Sequence, residues 1–224
     1  MTTLWMAPYT CARVTAIALE EAGVKFETRL VRFMRGEHKS AEFKARNPKG
    51  KVPALEIDGD VLTENVAILT YLADRYPEAS LLPRTTRPIE RAHVLADLCF
   101  CSSTLHSLVT RIRMPMFFAG AANAALVKQT AETAMDEYFQ LVEERLAAGP
   151  WWYGGDWSVI DGYLYWVFWR VEGAGYDVSR FPRFVAHARA NEQRPAVQRA
   201  LAREEKAQAQ LEIEGAAFVP PTVG

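Results

Sequence analysis

The segment NPKGKVPAL, residues 47–55, places a proline near the start of a predicted β-strand over residues 52–57. Proline has no amide proton and a fixed φ angle, so it occurs at a strand start, at a sheet edge or in a cis turn. A cis peptide bond between Val52 and Pro53 would turn the backbone groups of Val52 outward, ready to pair with a peptide ligand. An ordinary edge strand is the alternative interpretation of the same residues.

A β-hairpin and a helix are predicted directly after this segment. Asp58-Gly59 lies between the strand over 52–57 and a second strand over 60–63, and this dipeptide suits a tight turn. Apolar residues then recur at helical spacing up to Tyr76, and Pro77 ends the helix. These apolar residues are Val66, Ile68, Leu69 and Leu72.

The residues ahead of the segment predict a βαβ unit. A strand over 3–6 is followed by a helix from about Cys11 to Ala22 and by a second strand over 26–31. Gly23 stands directly after the helix, where a residue in the left-handed conformation is favoured.

The rest of the chain predicts a second, helical domain. Residues 77–88 contain three prolines and no clear periodicity, which is typical of a linker, and every strong pattern beyond them is helical. We therefore expect an α/β plus all-α chain: an N-terminal domain over 1–76, a linker over 77–87 and a helical domain over 88–224. The tail over 215–224 is either a loose end or an arm that packs elsewhere.

The predicted helices of the second domain follow breaks at proline or glycine. One runs from Ile89 to about Arg113, where Met114-Pro115 breaks it, and the next carries an apolar stripe and ends by Gly149-Pro150. Two more follow Ser158 and Phe181, and the last one starts near Pro195. The stripe consists of Ala131, Ala134, Met135, Tyr138, Leu141, Val142 and Leu146.

The composition excludes several classes of protein. The 26 lysine and arginine residues are balanced by 27 aspartate and glutamate residues, so no basic face for nucleic acid is indicated. We expect no signal peptide and no membrane-spanning segment, and hence a cytoplasmic protein. The three cysteines lack metal-ligand spacing and do not form a disulfide framework.

Cys11 is the first candidate for chemistry. It falls in the first turn of a predicted helix, where backbone N–H groups and the positive end of the helix dipole favour a thiolate. An unperturbed thiol is only about 3% ionised at pH 7, so such stabilisation increases the amount of nucleophile. The neighbouring Tyr9 and Thr10 offer hydroxyl groups that could donate to sulfur. The alternative is that Cys11 is simply a small buried residue.

Two further candidates lie at the predicted helix that begins near residue 65. Glu64 could bind the ammonium group of a ligand, and the N–H groups near Asn65 could bind its carboxylate. Plain helix capping, with an acid in the first turn, explains the same residues without any ligand.

The helical domain offers one titratable candidate, His106, although a lone helical histidine is usually a packed or solvated residue. Cys99 and Cys101 lie on different helix faces and are expected in the core. The aromatic residues over 151–169 are most simply core as well, and Ser158-Val159-Ile160-Asp161 has the spacing of a capping box.

Taken together, the cysteine-bearing loop, NPKGKVPAL, LTENVAILTYLADRYP and the helical second half resemble the cytosolic glutathione S-transferases over essentially the whole chain. The position of Cys11 and the segment from Ser102 to His106 are most similar to the bacterial beta class. Asn65 departs from the pattern, since many relatives have serine or glycine there.

The resemblance implies an N-terminal thioredoxin-like domain that binds glutathione, a helical domain that supplies much of the pocket for the second substrate, and a homodimer. Cys11 would lie beside the glutathione sulfur, and Val52, ahead of a cis Pro53, would pair with the cysteinyl backbone. Glu64 and Asn65 would hold the γ-glutamyl end, and His106 would approach the sulfur. Glutathione would be a co-substrate, and no metal is needed.

Three activities are compatible with these expectations. The first is transfer of the glutathione thiolate to a small, largely apolar electrophile. The second is thiol-disulfide exchange through Cys11, by a monothiol route because the chain lacks a Cys-x-x-Cys pair. The third is a non-catalytic protein that holds an apolar ligand, since fold does not fix function.

Overall fold

The structure, a computed structural model, describes residues 1–218. Its described residues form two compact units: Met1–Leu81 together with residues 194–218, and Leu82–Gln193. Of the predicted tail over 215–224, residues 219–224 lie outside the described residues.

The first unit contains a four-stranded mixed sheet in the order β2-β1-β3-β4. Strand β1 is parallel to β2 and antiparallel to β3, and β3 pairs antiparallel with β4. This is the predicted βαβ unit followed by a hairpin and a helix, so the thioredoxin-like fold class is confirmed. The elements are β1 (Thr2–Met6), α1 (Ala12–Glu21), β2 (Phe26–Leu30), α2 (Ala41–Arg46), β3 (Ala54–Ile57), β4 (Asp60–Thr63) and α3 (Asn65–Arg75).

The two predicted turns of this unit are present. Asp58 and Gly59 have φ angles of 52° and 89°, which suits the tight turn between β3 and β4. Gly23 has a φ of 65°, and the N–H of Val24 donates to the carbonyl of Leu19 at 3.0 Å. This bond closes the end of α1 as a left-handed cap.

The second unit consists of helices, as predicted. The segment between α4 and α5 is a π-helix, Phe100–Leu105, so the predicted single helix over 89–113 contains a wide turn that sequence periodicity did not indicate. The helices are α4 (Pro88–Cys99), α5 (His106–Arg113), α6 (Met116–Ala119), α7 (Ala124–Arg145), α8 (Val159–Glu172) and α9 (Pro182–Glu192), followed by α10 (Pro195–Ile213).

Helix α8 is the centre of the second unit. Its residues from Val159 to Phe168 are all buried, which confirms the expected core for this part of the aromatic stretch, whereas Trp151, Tyr153 and Trp169 are only half-buried. The capping box is confirmed too: the Asp161 carboxylate accepts from the backbone N–H of Ser158 at 2.8 Å. Of the two cysteines expected in the core, Cys101 is buried but Cys99 is exposed, so the expectation for Cys99 was wrong. Two positions along a helix place these side chains on different faces, of which only one turns inward.

Residues 88–113 form the one helix, within the described part of the chain, that is long and apolar enough to cross a membrane by length and composition. Its most apolar window has a mean hydropathy of 1.2, and only 28% of that window is buried. The second unit therefore has an apolar helix that is largely exposed at its surface.

Helix α10 belongs to the first unit, although the predicted boundary assigned residues 88–224 to the helical domain. Opposite charges on α1 and α10 account for this placement. Glu20 accepts from Arg199 and Arg203 at 2.6 Å each, and Glu21 accepts from Arg194 at 2.8 Å. The last helix thus covers the first one, and α1 is buried on every side from Ala12 to Glu20.

Candidate active site

Cys11 is the residue directly before α1, and its thiol is half-buried. The loop ahead of it is fixed by Thr10, whose hydroxyl donates to the carbonyl of Ala7 at 2.7 Å. Because that bond uses its one proton, Thr10 cannot also donate to a sulfur in this conformation, contrary to one of the sequence-based hypotheses.

The first N–H groups of α1 are also engaged. The N–H of Arg13 donates to the carbonyl of Thr10, and that of Val14 donates to the carbonyl of Cys11, both at 3.1 Å. These two groups are therefore not available to the Cys11 sulfur, and the positive end of the helix dipole is the remaining contribution of α1 at this position.

Tyr9 and Arg13 are held by a buried carboxylate from the end of the chain, Glu204 on α10. Oε1 of Glu204 accepts from the backbone N–H of Tyr9 at 2.8 Å, and Oε2 accepts from Nε of Arg13 at 2.9 Å. Arg13 and Glu204 are each only 2% exposed. Burial, and then the charge of Glu204, raise the pKa of the Tyr9 phenol, so this hydroxyl stays protonated at neutral pH.

The segment ahead of β3 brings a backbone carbonyl to Cys11. The peptide bond between Val52 and Pro53 is cis, as predicted, and Sγ of Cys11 lies 3.8 Å from the Val52 carbonyl oxygen. Asn47, which is buried, fixes the loop by donating from Nδ2 to the carbonyl of Lys51 at 2.6 Å.

Glu64 and Asn65 lie at the start of α3 and have different surroundings. The Glu64 side chain is exposed and Lys49 donates to it, whereas Asn65 is 5% exposed. Asn65 accepts from the hydroxyl of Thr15 at 2.7 Å and donates from Nδ2 to the carbonyl of Cys11 at 3.0 Å. The Asn65 side chain therefore joins α3 to the start of α1.

Five of the six predicted site residues thus lie in the first unit, around the start of α1. They are Cys11, Val52, Pro53, Glu64 and Asn65. Sequence reasoning missed Glu204, since a single glutamate in a helix rich in alanine, arginine and glutamate carries no signal for a partner at the opposite end of the chain.

The sixth residue, His106, lies in the second unit at the start of α5, directly after the π-helix. Its Nδ1 is 3.2 Å from the hydroxyl of the buried Tyr163, and its ring meets the edge of Trp166 with centroids 4.6 Å apart. Both partners are on α8, so the core of the unit fixes the orientation of the imidazole. Turns of π-helix are frequent at functional sites.

The fold and the cysteine-centred site define a glutathione transferase-like protein. The family pattern described as "Glutathione S-transferase, N-terminal domain" matches residues 1–74, and "Glutathione S-transferase, C-terminal domain" matches residues 121–203. Glutathione S-transferase GstA of Escherichia coli O157:H7 is 30% identical over 203 residues, which are 90% of this chain and 98% of that protein. This chain belongs to the glutathione S-transferase family and is an enzyme of that family.

Solved structures of glutathione S-transferases are also similar to this chain. A sphingomonad glutathione S-transferase complexed with glutathione is 34% identical with a TM-score of 0.79, over 91% of this chain and 98% of that one. A bacterial beta-class enzyme from Sphingomonas chungbukensis is 33% identical with a TM-score of 0.78, over 90% and 98%. Similarity extends to a maleylacetoacetate isomerase of Pseudomonas aeruginosa, 28% identical over 80% of this chain and 87% of that one.

Proposed function

We propose that the chain binds glutathione in its first unit and transfers the glutathione thiolate to a small, largely apolar electrophile. The observation that supports the proposal is that the start of α1, the residue before Pro53 and the start of α3 come together at Cys11. The Cys11 sulfur faces the Val52 carbonyl at 3.8 Å, and Asn65 holds the Cys11 carbonyl at 3.0 Å. A tripeptide thiol bound along Val52 would bring its own sulfur to the start of α1.

The cysteinyl residue and the γ-glutamyl end of the tripeptide each have matching groups. The backbone of Val52 would pair with the cysteinyl residue, the carboxylate of Glu64 would take the γ-glutamyl ammonium, and the N–H of Asn65 would take the adjoining carboxylate. Lowering the pKa of the bound thiol by about two units needs roughly 2.7 kcal/mol, which a helix dipole and one or two hydrogen bonds can supply.

His106 would assist the thiolate from the second unit. When the Tyr163 hydroxyl donates to Nδ1, the neutral imidazole carries its proton on Nε2, and Nε2 can then donate to a sulfur. We expect the His106→Ala variant to lose turnover, with a smaller effect on the KM for glutathione.

A second candidate activity, thiol-disulfide exchange, is favoured by the half-buried thiol of Cys11 at a helix start. The Cys11 thiolate would attack the glutathionyl sulfur of a mixed disulfide, forming a Cys11–glutathione disulfide and releasing the substrate thiolate. A second glutathione would then form oxidised glutathione and restore Cys11.

Steady-state assays separate these activities. Wild-type, Cys11→Ala and His106→Ala proteins are tested with glutathione against an electrophile panel, a mixed disulfide and maleylacetoacetate, which is the substrate named for a relative. Conjugation that survives Cys11→Ala while disulfide exchange is lost assigns Cys11 to the second activity. Cys99→Ala and His93→Ala, at exposed positions, are the matched controls.

The same assays include the outcomes that would overturn the proposal. Absence of glutathione binding at millimolar concentration would remove both activities. Binding without turnover of any substrate would leave the non-catalytic ligand-binding protein as the better account.

We also propose a homodimer, supported by the apolar surface of α4. Ile89 is 55% exposed and Leu95 is 45% exposed, on a helix of which little is buried within one chain. A second copy of the chain would remove these side chains from water. Light scattering should give twice the chain mass of 25.2 kDa, and Leu95→Glu should lower it towards one chain. An unchanged dimer in Leu95→Glu would exclude α4 from the interface.

A further inference from the structure

Lys49 and Glu64 form an exposed ion pair inside the proposed glutathione site. Nζ of Lys49 lies 2.6 Å from Oε1 of Glu64 and 2.9 Å from the hydroxyl of Thr63. The two charged side chains are 45% and 65% exposed, and such exposed pairs contribute little to stability. A ligand can therefore open this pair at little energetic cost.

Two features restrict the backbone on the lysine side of the pair. Gly50, next to Lys49, has a φ of 64°, and a Cβ there would lie 2.7 Å from the carbonyl oxygen of His38. The side chain of Asn47 accepts from the N–H of Lys49 at 3.1 Å. The ammonium group is thus carried by a residue whose backbone is restrained on both sides, by Asn47 and by Gly50.

The backbone on the glutamate side is strained. Glu64 has a φ of 72°, in the left-handed region that is unfavourable for a residue with a side chain. Such strain persists where the surrounding structure enforces it, and it is typical of ligand-binding positions. The backbone of both charged residues is therefore constrained, whereas their side chains are exposed.

This pair creates a conflict with a simple assignment of Glu64 to the ligand. The carboxylate that would receive the γ-glutamyl ammonium already receives the ammonium of Lys49. The ligand must displace Lys49, and a γ-glutamyl group carries its ammonium and its α-carboxylate on the same carbon. The displaced Nζ would then lie next to that carboxylate.

We propose that Lys49 is a specificity residue that exchanges Glu64 for the α-carboxylate of the γ-glutamyl group when the peptide binds. One internal ion pair is replaced by two ion pairs to the ligand, so every charge stays paired. The site then selects a ligand whose γ-glutamyl end is zwitterionic, because Glu64 binds the ammonium and Lys49 binds the α-carboxylate. This inference rests on the proposed function, because it requires glutathione at Glu64.

Calorimetric titration with three ligands tests the exchange. The ligands are glutathione, its analogue without the α-amino group, and its analogue with the α-carboxylate converted to an amide. They are titrated into wild-type, Lys49→Met and Lys49→Arg proteins. Lys25→Met is the matched control, since Lys25 is exposed and lies at the opposite end of the β1–β2 pair from Cys11.

The exchange predicts a specific pattern of affinities. Lys49→Met should weaken glutathione about 10-fold, which corresponds to about 1.4 kcal/mol for a charge-assisted hydrogen bond, and should leave the amide analogue within about 2-fold of wild type. Lys49→Arg should restore most of the affinity, and Lys25→Met should have no effect.

Several outcomes would overturn the inference. Tighter glutathione binding by Lys49→Met would mean that Lys49 only competes with the ligand ammonium. An equal loss for glutathione and the amide analogue, or no loss for either, would show that Lys49 does not read the carboxylate. If wild-type protein binds none of the three ligands, the proposed function itself fails, whereas binding that ignores Lys49 removes only this inference.

Discussion

Each unit contains a buried carboxylate that accepts several hydrogen bonds, Asp161 in the second unit and Glu204 in the first. The two differ in how far along the chain their partners lie. Asp161, which is fully buried, accepts from the N–H groups of Trp152 and Ser158 at 2.7 and 2.8 Å and from His187 at 2.9 Å. Its partners are at most 26 residues away. The partners of Glu204, Tyr9 and Arg13, are 195 and 191 residues away.

The two carboxylates therefore differ in their effect: Asp161 stabilises one unit, whereas Glu204 also affects the geometry of the candidate site. Asp161 closes a local cap and connects helices of one core, so its effect stays within the second unit. Glu204 ties the last helix to the loop that carries Cys11. We therefore expect the end of the chain to influence the thiol, while the folding carboxylate of the second unit should not.

Loss of Asp161 should give the largest effect on stability. Asp161→Ala leaves the buried donors of Trp152, Ser158 and His187 unsatisfied, at an expected cost of about 4 kcal/mol in the free energy of unfolding. Urea denaturation measures this cost, and Asp177→Ala, at an exposed carboxylate, is the control. In the folded fraction, the alkylation rate of Cys11 should stay at the wild-type value. A cost below about 1 kcal/mol would contradict the role of Asp161 as the cap of α8.

Replacing Glu204 should give an intermediate loss of stability together with a change at Cys11. Glu204→Gln keeps an acceptor for the Tyr9 N–H but leaves the buried Arg13 charge without its counter-ion, at about 3 kcal/mol. We expect the rate of Cys11 alkylation by iodoacetamide to change at least about 2-fold, since its loop loses an anchor.

The control for Glu204 is Glu20→Gln, which also breaks ion pairs between α1 and α10 but lies at the far end of α1. It should lower stability without changing the alkylation rate. Equal alkylation rates in both variants and wild type would remove the distinction between the two carboxylates.

Asn65 should show a smaller effect of the same kind as Glu204. Asn65→Ala removes the hydrogen bonds to Thr15 and to the Cys11 carbonyl, at about 2 kcal/mol, and should raise the KM for glutathione. Thr15→Val removes only the first of these bonds. If both variants raise the KM equally, the bond to Cys11 does not matter for binding.

The smallest effect concerns the attachment of the end of α10 to the loop that follows β2. Hydrogen bonds from Arg32 and then from Gln210 lower the pKa of Glu214 from its ordinary 4.5 to about 2. A depressed acid stabilises the fold fully above pH 4.5, and this contribution is lost as the pH falls towards 2. The difference in denaturant midpoint between wild type and Glu214→Gln should therefore shrink from pH 6 to pH 3. A constant difference over this range would contradict the pairing.

The sequence predicted those parts of the fold that depend on neighbouring residues. The hairpin at Asp58-Gly59, the left-handed Gly23 and the capping box at Ser158 each need only a few adjacent positions, and all three are present. The proline at the start of β3 left two interpretations open, a cis turn and an ordinary edge strand, and the structure has the cis bond.

Long-range pairing was not predictable in the same way. Arg199 and Arg203 could face water as easily as Glu20, and nothing local in α10 indicates that Glu204 is buried. The π-helix after Cys99 is a change in the register of the backbone hydrogen bonds. Within it, the Ser103 hydroxyl donates to the carbonyl of Cys99 at 2.7 Å. Helical spacing alone does not reveal such a change, because serine competes for backbone groups in many conformations.

Protection of Cys11 by a bound peptide tests the central claim most directly. The alkylation rate of Cys11 is measured by mass spectrometry with and without millimolar S-methylglutathione, which has no thiol to consume the reagent. We predict that the peptide slows alkylation of Cys11 several-fold while that of the exposed Cys99 is unchanged, and that Glu64→Gln weakens the protection. An unchanged rate at Cys11 would contradict a glutathione site at the start of α1.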